Sequence, residues 1–531
     1  MRLINYANPV VEGGRPNLAV ARLEANPAEG ARAGVVCVSD EDRAVQQLTI
    51  MHSLPLLPVV IVAVTKFLVD ELESILSSVS KIFEEYNKSF IRVTPNQLNG
   101  LAQDAYAGRF LILVSSPKAL VGSTINNLER VVIIHDRALE NCKGLTSVTI
   151  SDSVTSIGES AFQDCTNLIN VTIHDGNPEC TIGHRAFWGC SELTSVSIGS
   201  TVTTIGEYAF YECAKLVSLD IPSSVKSIGE SAFQDCTNLI NVTIHDGNPE
   251  CTIGHDGNPE CTIGHSAFWG CSELTSVSIR STYTSIGEYA FYECTKLVSV
   301  DIQSSVKSIG DFAFELCKGL RSVTFHAGVT SIGNYAFVGC RNLANVTMRK
   351  GVLTHSHIGE GTFMNCTRLA SITIPESVTS IGHYAFSGCS MLQSVSLHIG
   401  VTDIGRRAFS GCSMLQSVFF HKGITSIESY AFWDCTRLTR VDIPEGVTAI
   451  GEGAFCGCDG LTIVNIPHSV TFIGKIAFYG CSRLTRLIIP DSVTFIGEKA
   501  FGGCVSLSPE SMHSIENAFG FPIACCDHVT Q

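Results

Sequence analysis

The sequence predicts an α/β repeat solenoid with parallel β-sheets and short helical turns, preceded by a small α/β N-terminal domain. Three observations predict it. The motif A-F-x-x-C recurs down most of the chain. The leucines that follow it keep a near-constant period. The stretch before the first repeat alternates strand-like and helix-like segments.

The repeat reads L-x-S-V-x-I-P-x-S-V-T-x-I-G-x-x-A-F-x-x-C-x-x. Its anchoring leucines run from Leu145, Leu168 and Leu193 to Leu484 and close at Leu507, and twelve of the fifteen intervals equal 23 residues. Each unit divides into the same parts. In Leu369–Pro375, Ile372 and Ile374 alternate with Ser371 and Thr373, which predicts a half-buried strand. Pro375 ends it, because proline cannot donate to a ladder. Val378 to Ile381 predicts a second short strand, and Gly382 predicts a backbone conformation that a side chain would oppose. Ala385, Phe386, Cys389 and Leu392 fall at i, i+1, i+4 and i+7, the spacing of one face of a short helix. One unit buries too little to fold alone, so stability must come from stacking on its neighbours. Fifteen coils at a strand spacing of roughly 4.8 Å predict a rod on the order of 70 Å.

The run S-V-T-S-I-G-x-x-A-F-x-x-C stands unaltered in Ser153–Cys165 and Ser377–Cys389, and Gly446–Cys458 is a near copy. It resembles the BspA-like leucine-rich repeats. The resemblance covers residues 145 to 507 and implies a leucine-rich-repeat-type solenoid. It also implies a binding protein, because members of that family are surface or secreted proteins of bacteria and protists, some of them adhesins. The asparagine usual in other leucine-rich repeats is absent. The array also carries marks of recent duplication: Ser156–His184 and Ser227–His255 are identical, and DGNPECTIGH is repeated in tandem at 246–255 and 256–265. A catalytic centre would not easily survive such shuffling.

Before the array, residues 1–50 read as loosely ordered. Residues 51–136 read as a small domain, with strands at 58–64, Phe90–Thr94, Phe110–Val114 and Val131–Ile134 and helices at Phe67–Tyr86 and Gln97–Tyr106. Strands alternating with helices predict a parallel α/β layer. This stretch is faintly similar to the second RecA-like domain of DEAD-box RNA helicases. That likeness places Ser115, Ser116, Lys118, Gly122 and Ser123 where such enzymes meet nucleotide and nucleic acid. The chain departs from the pattern. Ser116 or Pro117 replaces the usual acidic residue, Val121-Gly122 replaces the Arg-Gly pair, and no G-x-x-x-x-G-K-[ST] loop occurs. Asp40-Glu41-Asp42 mimics a D-E-x-D box without a phosphate loop near it. The domain therefore reads as a degenerate unit that caps the solenoid, whose first coil would otherwise expose a strand edge. Residues 137–507 form the solenoid and 508–531 a C-terminal cap or tail.

Composition narrows the function. The formal net charge of −15 repels phosphate backbones, so nucleic acid is not an expected partner. The most apolar stretch, 54–69, is interrupted by Pro55, Pro58 and Lys66 and is too short to span a bilayer, so no membrane insertion is expected. The opening residues MRLINYANPVVEGGRP lack an apolar signal region, so the chain reads as cytoplasmic; an incomplete gene start would make the cell surface possible.

Of the 23 cysteines, those of the repeat, from Cys142 and Cys165 to Cys504, occupy one ladder position. Stacked side chains that point in parallel disfavour disulfides, and the position reads as a small buried hydrophobe. Cys456, Cys525 and Cys526 read as extra free thiols. His174, Asp175, Cys180 and His184 recur as His245, Asp246, Cys251 and His255, then Cys261 and His265. Their spacing matches no closed zinc site and duplication explains the recurrence, so no metal or other cofactor is expected. No Ser/His/Asp or Cys/His set stands out.

Outward strand positions are serine or threonine in the first half, as at Ser147 and Thr149, which reads as a solvated sheet face. Later repeats place Phe419, Arg440, Asp442, Ile463, Arg486 and Ile488 there. Variation on a regular scaffold is how solenoids encode partners, and Arg and aromatic residues are enriched where binding energy concentrates. These six are the candidate partner-binding residues. The expected function is a non-enzymatic interaction scaffold, adhesin-like or an intracellular adaptor. Its solenoid surface binds a protein, or a glycan or extracellular matrix if the chain is exported. The alternative is a helicase-derived nucleotide- or RNA-binding protein with a repeat tail.

Overall fold

The computed structural model describes residues 131–519 except 177–178, 246–261, 280–282, 350 and 353–356, together with segments 21–22, 35–36, 90–93, 110–114 and 125. The array is a parallel β-solenoid of about fifteen coils. Each coil contributes a longer strand, a turn, a two- to four-residue strand and a closing turn segment. In the unit Leu369–Leu392 the strands are Ser371–Thr373 and Ser380–Ile381, inside the expected spans.

The longer strands stack into a nine-stranded sheet, from Ser147–Ile150 to Asn345–Met348, and a six-stranded sheet, from Ser371–Thr373 to Arg486–Ile488. Every rung is parallel and sets like residues side by side, as in Val148↔Val171 and Val395↔Val418. The shorter strands form a second face of eleven-, three- and four-stranded sheets. On the long-strand face the ladder breaks between Met348 and Ser371, where the leucine interval lengthens to 26 residues from Leu343 to Leu369.

The A-F-x-x-C segment is not a helix. Ala385, Phe386, Cys389 and Leu392 are all fully buried, as the helical spacing required. They reach the core by another route. Tyr384 (φ 57°) and Gly388 (φ 74°) are left-handed, which no α-helix tolerates. Alternate amides then point in different directions. The N–H groups of Ala385, Ser387 and Cys389 close i→i+3 turns on Gly382, Tyr384 and Phe386 at 3.3, 2.9 and 3.1 Å. Those of Tyr384, Phe386 and Gly388 donate to Arg406, Ala408 and Ser410 of the next coil at 2.9, 2.8 and 2.7 Å. The turns thus form a third inter-coil ladder. A left-handed L-residue costs roughly 1–2 kcal/mol. The inter-coil hydrogen bond and the burial of the adjacent phenylalanine offset that cost.

Gly382 serves a different purpose from the one its sequence context suggests. Its φ lies outside the left-handed region, but a Cβ there would sit 2.7 Å from the carbonyl carbon of Gly359 in the coil before. The glycine column permits close approach of successive backbones.

Inside, the phenylalanines stack ring on ring along the rod: Phe363–Phe386 at 5.6 Å and Phe386–Phe409 at 5.3 Å, with interplanar angles of 12° and 7°. The cysteine column lies beside them. Each thiol donates to a carbonyl one coil back, as from Cys190 to Phe162 at 3.2 Å and from Cys389 to Phe363 at 3.1 Å.

At the N-terminal end, Phe90–Val93, Phe110–Leu113 and Val131–Ile134 pair in parallel, and Val131–Ile134 pairs onward with Ser156–Ile157. These three strands therefore continue the short-strand face beyond the first repeat. The helices expected at Phe67–Tyr86 and Gln97–Tyr106 and the strand expected at 58–64 lie outside the described residues. At the other end, helix Pro509–Phe519 lies against the last long strand, Arg486–Ile488. Proline at its first position and the Ser508 hydroxyl, which accepts from the Ser511 amide at 3.2 Å, start it. Ser511 and Ser514 accept from the amides of Leu487 and Ile489 at 3.0 and 2.9 Å, so serine hydroxyls complete an open ladder edge.

Candidate partner-binding surface

The long-strand face positions the candidate residues. Because strands alternate, every second residue of each rung leaves the core, and stacking turns those residues into two columns. Over the six-stranded sheet the first column runs Ser371, Ser394, Ser417, Arg440, Ile463, Arg486. The second includes Thr373, Ser396 and Phe419 in its first part and Asp442, Asn465 and Ile488 in its last. All six candidates therefore share one face of one sheet, within four successive coils.

Their environments differ. Phe419 is 64% exposed and Ile488 52%. Ile463 is half-buried between its two arginine neighbours in the column. Arg440 grips Asp442 two residues on through Nε at 2.7 Å and a terminal nitrogen at 2.9 Å. That guanidinium holds the Asp442 carboxyl below the usual carboxylate range, despite some desolvation, and Asn465 adds a second donor. Arg486 is exposed and makes no ion pair among the described residues. Asn465 was not singled out in the sequence; its place in the second column, beside Asp442, was the available signal.

The opposite half of the face is flat and polar. Ser195 donates to the Asn170 side-chain oxygen at 2.7 Å, and Ser197 and Thr172 pair in register. Near the end of these rungs His174, Asp175, Ser200, Asp220 and His245 line an open cleft. Of the zinc-type residues, His174, Asp175 and His245 line this cleft, and the other described ones lie elsewhere. Cys180 is buried in strand Cys180–Ile182, with burial pushing its thiol up to about 11. His184 packs edge-on against Tyr208, Asp175 accepts from the Ser200 amide at 2.6 Å, and His265 packs edge-on against Tyr289. Among the described residues no group of three or more His, Cys, Asp or Glu could hold a metal ion. Asp246, Cys251, His255 and Cys261 lie outside the described residues. So do Ser115, Ser116, Lys118, Gly122 and Ser123, and Asp40-Glu41-Asp42. No described helix is long and apolar enough to cross a membrane.

Two further surfaces went unmarked in the sequence. Phe472 and Phe495, both half-exposed, stack at 4.8 Å on the short-strand face. Their signal was a phenylalanine just before I-G in two consecutive repeats. On the turn ladder, aromatic side chains gather around Trp188, Trp269 and Trp433, with an arginine at the first and third.

The chain is similar to several known proteins. No match is found among curated protein sequences. Among solved structures, a leucine-rich repeat protein from Bacteroides ovatus is 26% identical, with 75% of this chain and 85% of that one covered and a TM-score of 0.46. A leucine rich cell surface protein from Faecalibacterium prausnitzii is 26% identical, covering 81% of this chain and 90% of that one at a TM-score of 0.36. A leucine-rich repeat protein from Eubacterium ventriosum is 23% identical, covering 61% and 85% at a TM-score of 0.34. The model of the BspA type leucine rich repeat region matches in six copies, over residues 177–253, 261–393, 356–485 and 471–519. Those stretches span well over half of the sequence, and the chain belongs to the BspA type leucine rich repeat family.

Proposed function

We propose that the chain is a non-enzymatic interaction scaffold that binds a protein partner through the long-strand face of its C-terminal coils. One observation carries this reading. Over four coils the Ser/Thr columns of that face give way to Phe419, Arg440, Asp442, Ile463, Arg486 and Ile488, held in register on a rigid parallel sheet. Exposed Phe419 and Ile488 share this face with Arg440, which pairs with Asp442, and with exposed Arg486. Exposed aromatic and aliphatic anchors flanked by arginine are the composition of an interface core. Long-strand residues suit the purpose because the ladder fixes their spacing, so little side-chain order has to be gained on binding.

The test is differential capture. Wild-type chain and an Arg440→Ala/Asp442→Ala/Arg486→Ala variant are used as bait against the same lysate, with a Ser195→Ala/Ser276→Ala variant as control. The reading expects a band set that the control keeps and the triple variant loses. Equal capture by all three baits removes this face from partner binding.

A further inference from the structure

Duplication has left two similar aromatic clusters on the turn ladder, which differ where Ser266 replaces Arg185 and, one coil on, where Phe312, stacked on Tyr289 at 4.8 Å, replaces Ser231. The first is built from Arg185-Ala186-Phe187-Trp188 and, one coil on, Tyr208 and Tyr211. The second is built from Ser266-Ala267-Phe268-Trp269, Tyr289 and Tyr292. The ring geometry is the same in both. Trp188 stacks on Tyr208 at 5.8 Å and 20°, and Trp269 on Tyr289 at 5.5 Å and 22°. Trp188–Tyr211 is 4.9 Å at 57°, and Trp269–Tyr292 is 4.7 Å at 52°. The replaced residues share one backbone conformation, with φ 54° at both Arg185 and Ser266.

In the first cluster the chain supplies a cation. The Arg185 guanidinium lies 4.5 Å from the Trp188 ring centroid and 5.7 Å from that of Tyr208. A third cluster repeats the solution: Arg407 lies 5.0 Å from Tyr430, 5.2 Å from Trp433 and 5.9 Å from Tyr384. Ring faces carry negative potential and attract such cations, arginine above all. In the second cluster Ser266 stands where the arginine would be, and among the described residues no Lys or Arg lies over Trp269, Tyr289 or Tyr292.

The surrounding charge is negative. Glu288, Asp311 and Glu315 lie near Tyr289, and Glu293 and Glu315 near Tyr292. The Glu315 carboxyl is raised above its ordinary range by partial burial and then by Glu293. The first cluster has the same kind of rim, with Glu207 and Glu230 near Tyr208 and Glu212 and Asp235 near Tyr211, but its own arginine lies over the rings. The second cluster thus keeps a carboxylate rim and the three rings, adds Phe312 against one face of Tyr289, and lacks the guanidinium.

We propose that Trp269, Tyr289 and Tyr292 form a docking subsite for an arginine side chain of a partner protein, which takes the place Arg185 holds in the first copy. Guanidinium is favoured over ammonium because it is planar, weakly hydrated and stacks on aromatic faces, as Arg185 does on Trp188. The site is on the turn ladder, away from the long-strand residues Arg440 and Arg486, so it stands or falls independently of the partner surface proposed above.

The protein has three tryptophans, and the other two already carry an arginine. Full-length chain carrying Trp188→Phe and Trp433→Phe therefore reports Trp269 fluorescence alone. The probe is a capped Gly-Arg-Gly peptide, compared with its citrulline and lysine counterparts. The expected result is a saturable change in Trp269 emission with arginine, about tenfold weaker with citrulline and weaker with lysine. Ser266→Arg should abolish the response, because it rebuilds the Arg185 arrangement on a backbone that already accepts it. Conversely, Arg185→Ser in a chain that keeps Trp188 but carries Trp269→Phe and Trp433→Phe should create a responsive site. An equal response to citrulline, or a response that survives Ser266→Arg, overturns the proposal. A lysine response equal to arginine overturns the guanidinium assignment. Self-association in sedimentation that Ser266→Arg removes, without any peptide response, would assign the site to a second copy and overturn the partner reading.

Discussion

The thiol of Cys412 donates to the carbonyl oxygen of Phe386, one coil earlier, at 3.2 Å. The same bond recurs along the array, from Cys190 to Cys504. A cysteine in this column is thus a small apolar side chain that also satisfies a buried carbonyl.

Burial pushes the Cys165 and Cys389 thiols up to about 12, against backbone hydrogen bonding from Cys142 and Cys366 that lowers them. Their folded-state values exceed those of the unfolded chain, near 9. The contribution is fully present below about pH 9 and is lost as pH rises from about 9 toward 12, by about 1.4 kcal/mol per pH unit for each such thiol. Alkaline unfolding should therefore be steep, with thiolate absorbance and loss of circular dichroism coinciding. Thiolate appearing well before unfolding would contradict the buried column. At neutral pH the native chain should react at few cysteines. Among the described ones, half-buried Cys456 is the expected site, and its own thiol, raised to about 11 by burial and then Asp434, should react slowly. Cys37, Cys525 and Cys526, also expected to be accessible, lie outside the described residues.

Phe386→Ala should destabilise the array by roughly 3–5 kcal/mol, the range for a buried aromatic. The ring is fully buried and stacked on both sides. Denaturant melts provide the measurement, and a loss below about 1 kcal/mol would remove Phe386 from the core.

Gly382→Ala should cost about 1–3 kcal/mol through steric overlap with the Gly359 backbone, without a φ penalty. Gly388→Ala meets both: φ is +74° and the new Cβ would fall against the side-chain oxygen of Asn365. The second variant should therefore melt lower than the first, which thermal unfolding of the pair will show.

The Arg440→Ala/Asp442→Ala/Arg486→Ala variant should lose partner capture while each change shifts stability by less than about 0.5 kcal/mol. The Arg440–Asp442 pair is exposed on both sides and contributes little to folding. Binding loss accompanied by an unchanged melt is the expected signature.

Asn170, Asn241 and Asn345 head N-x-T sequons and are exposed at the first position of their long strands. The cytoplasmic expectation requires all three to be unmodified in protein purified from its native source. Intact-mass measurement decides this, since occupied glycans would place the chain in a secretory pathway and cover the sheet face.

The period of 23 residues, the parallel coil and the inward Val, Ile, Phe, Cys and Leu columns were legible in the sequence, because each residue type repeats wherever its burial repeats. So was the change of character at Phe419, Arg440 and Ile463, since alternation alone says which strand residues leave the core. Three things were settled only by tertiary structure. The A-F-x-x-C segment matched a helical period, yet its amides bind the next coil, and hydrogen bonds between coils are invisible to a pattern read along one coil. Gly382 looked like a conformational glycine and proved to be a contact glycine, because the atom it avoids is 23 positions away in the sequence. The Arg185, Arg407 and Ser266 clusters arise from side chains of successive coils that meet only after stacking. Local pattern determines which side chains face in or out; which outward ones touch depends on register between coils.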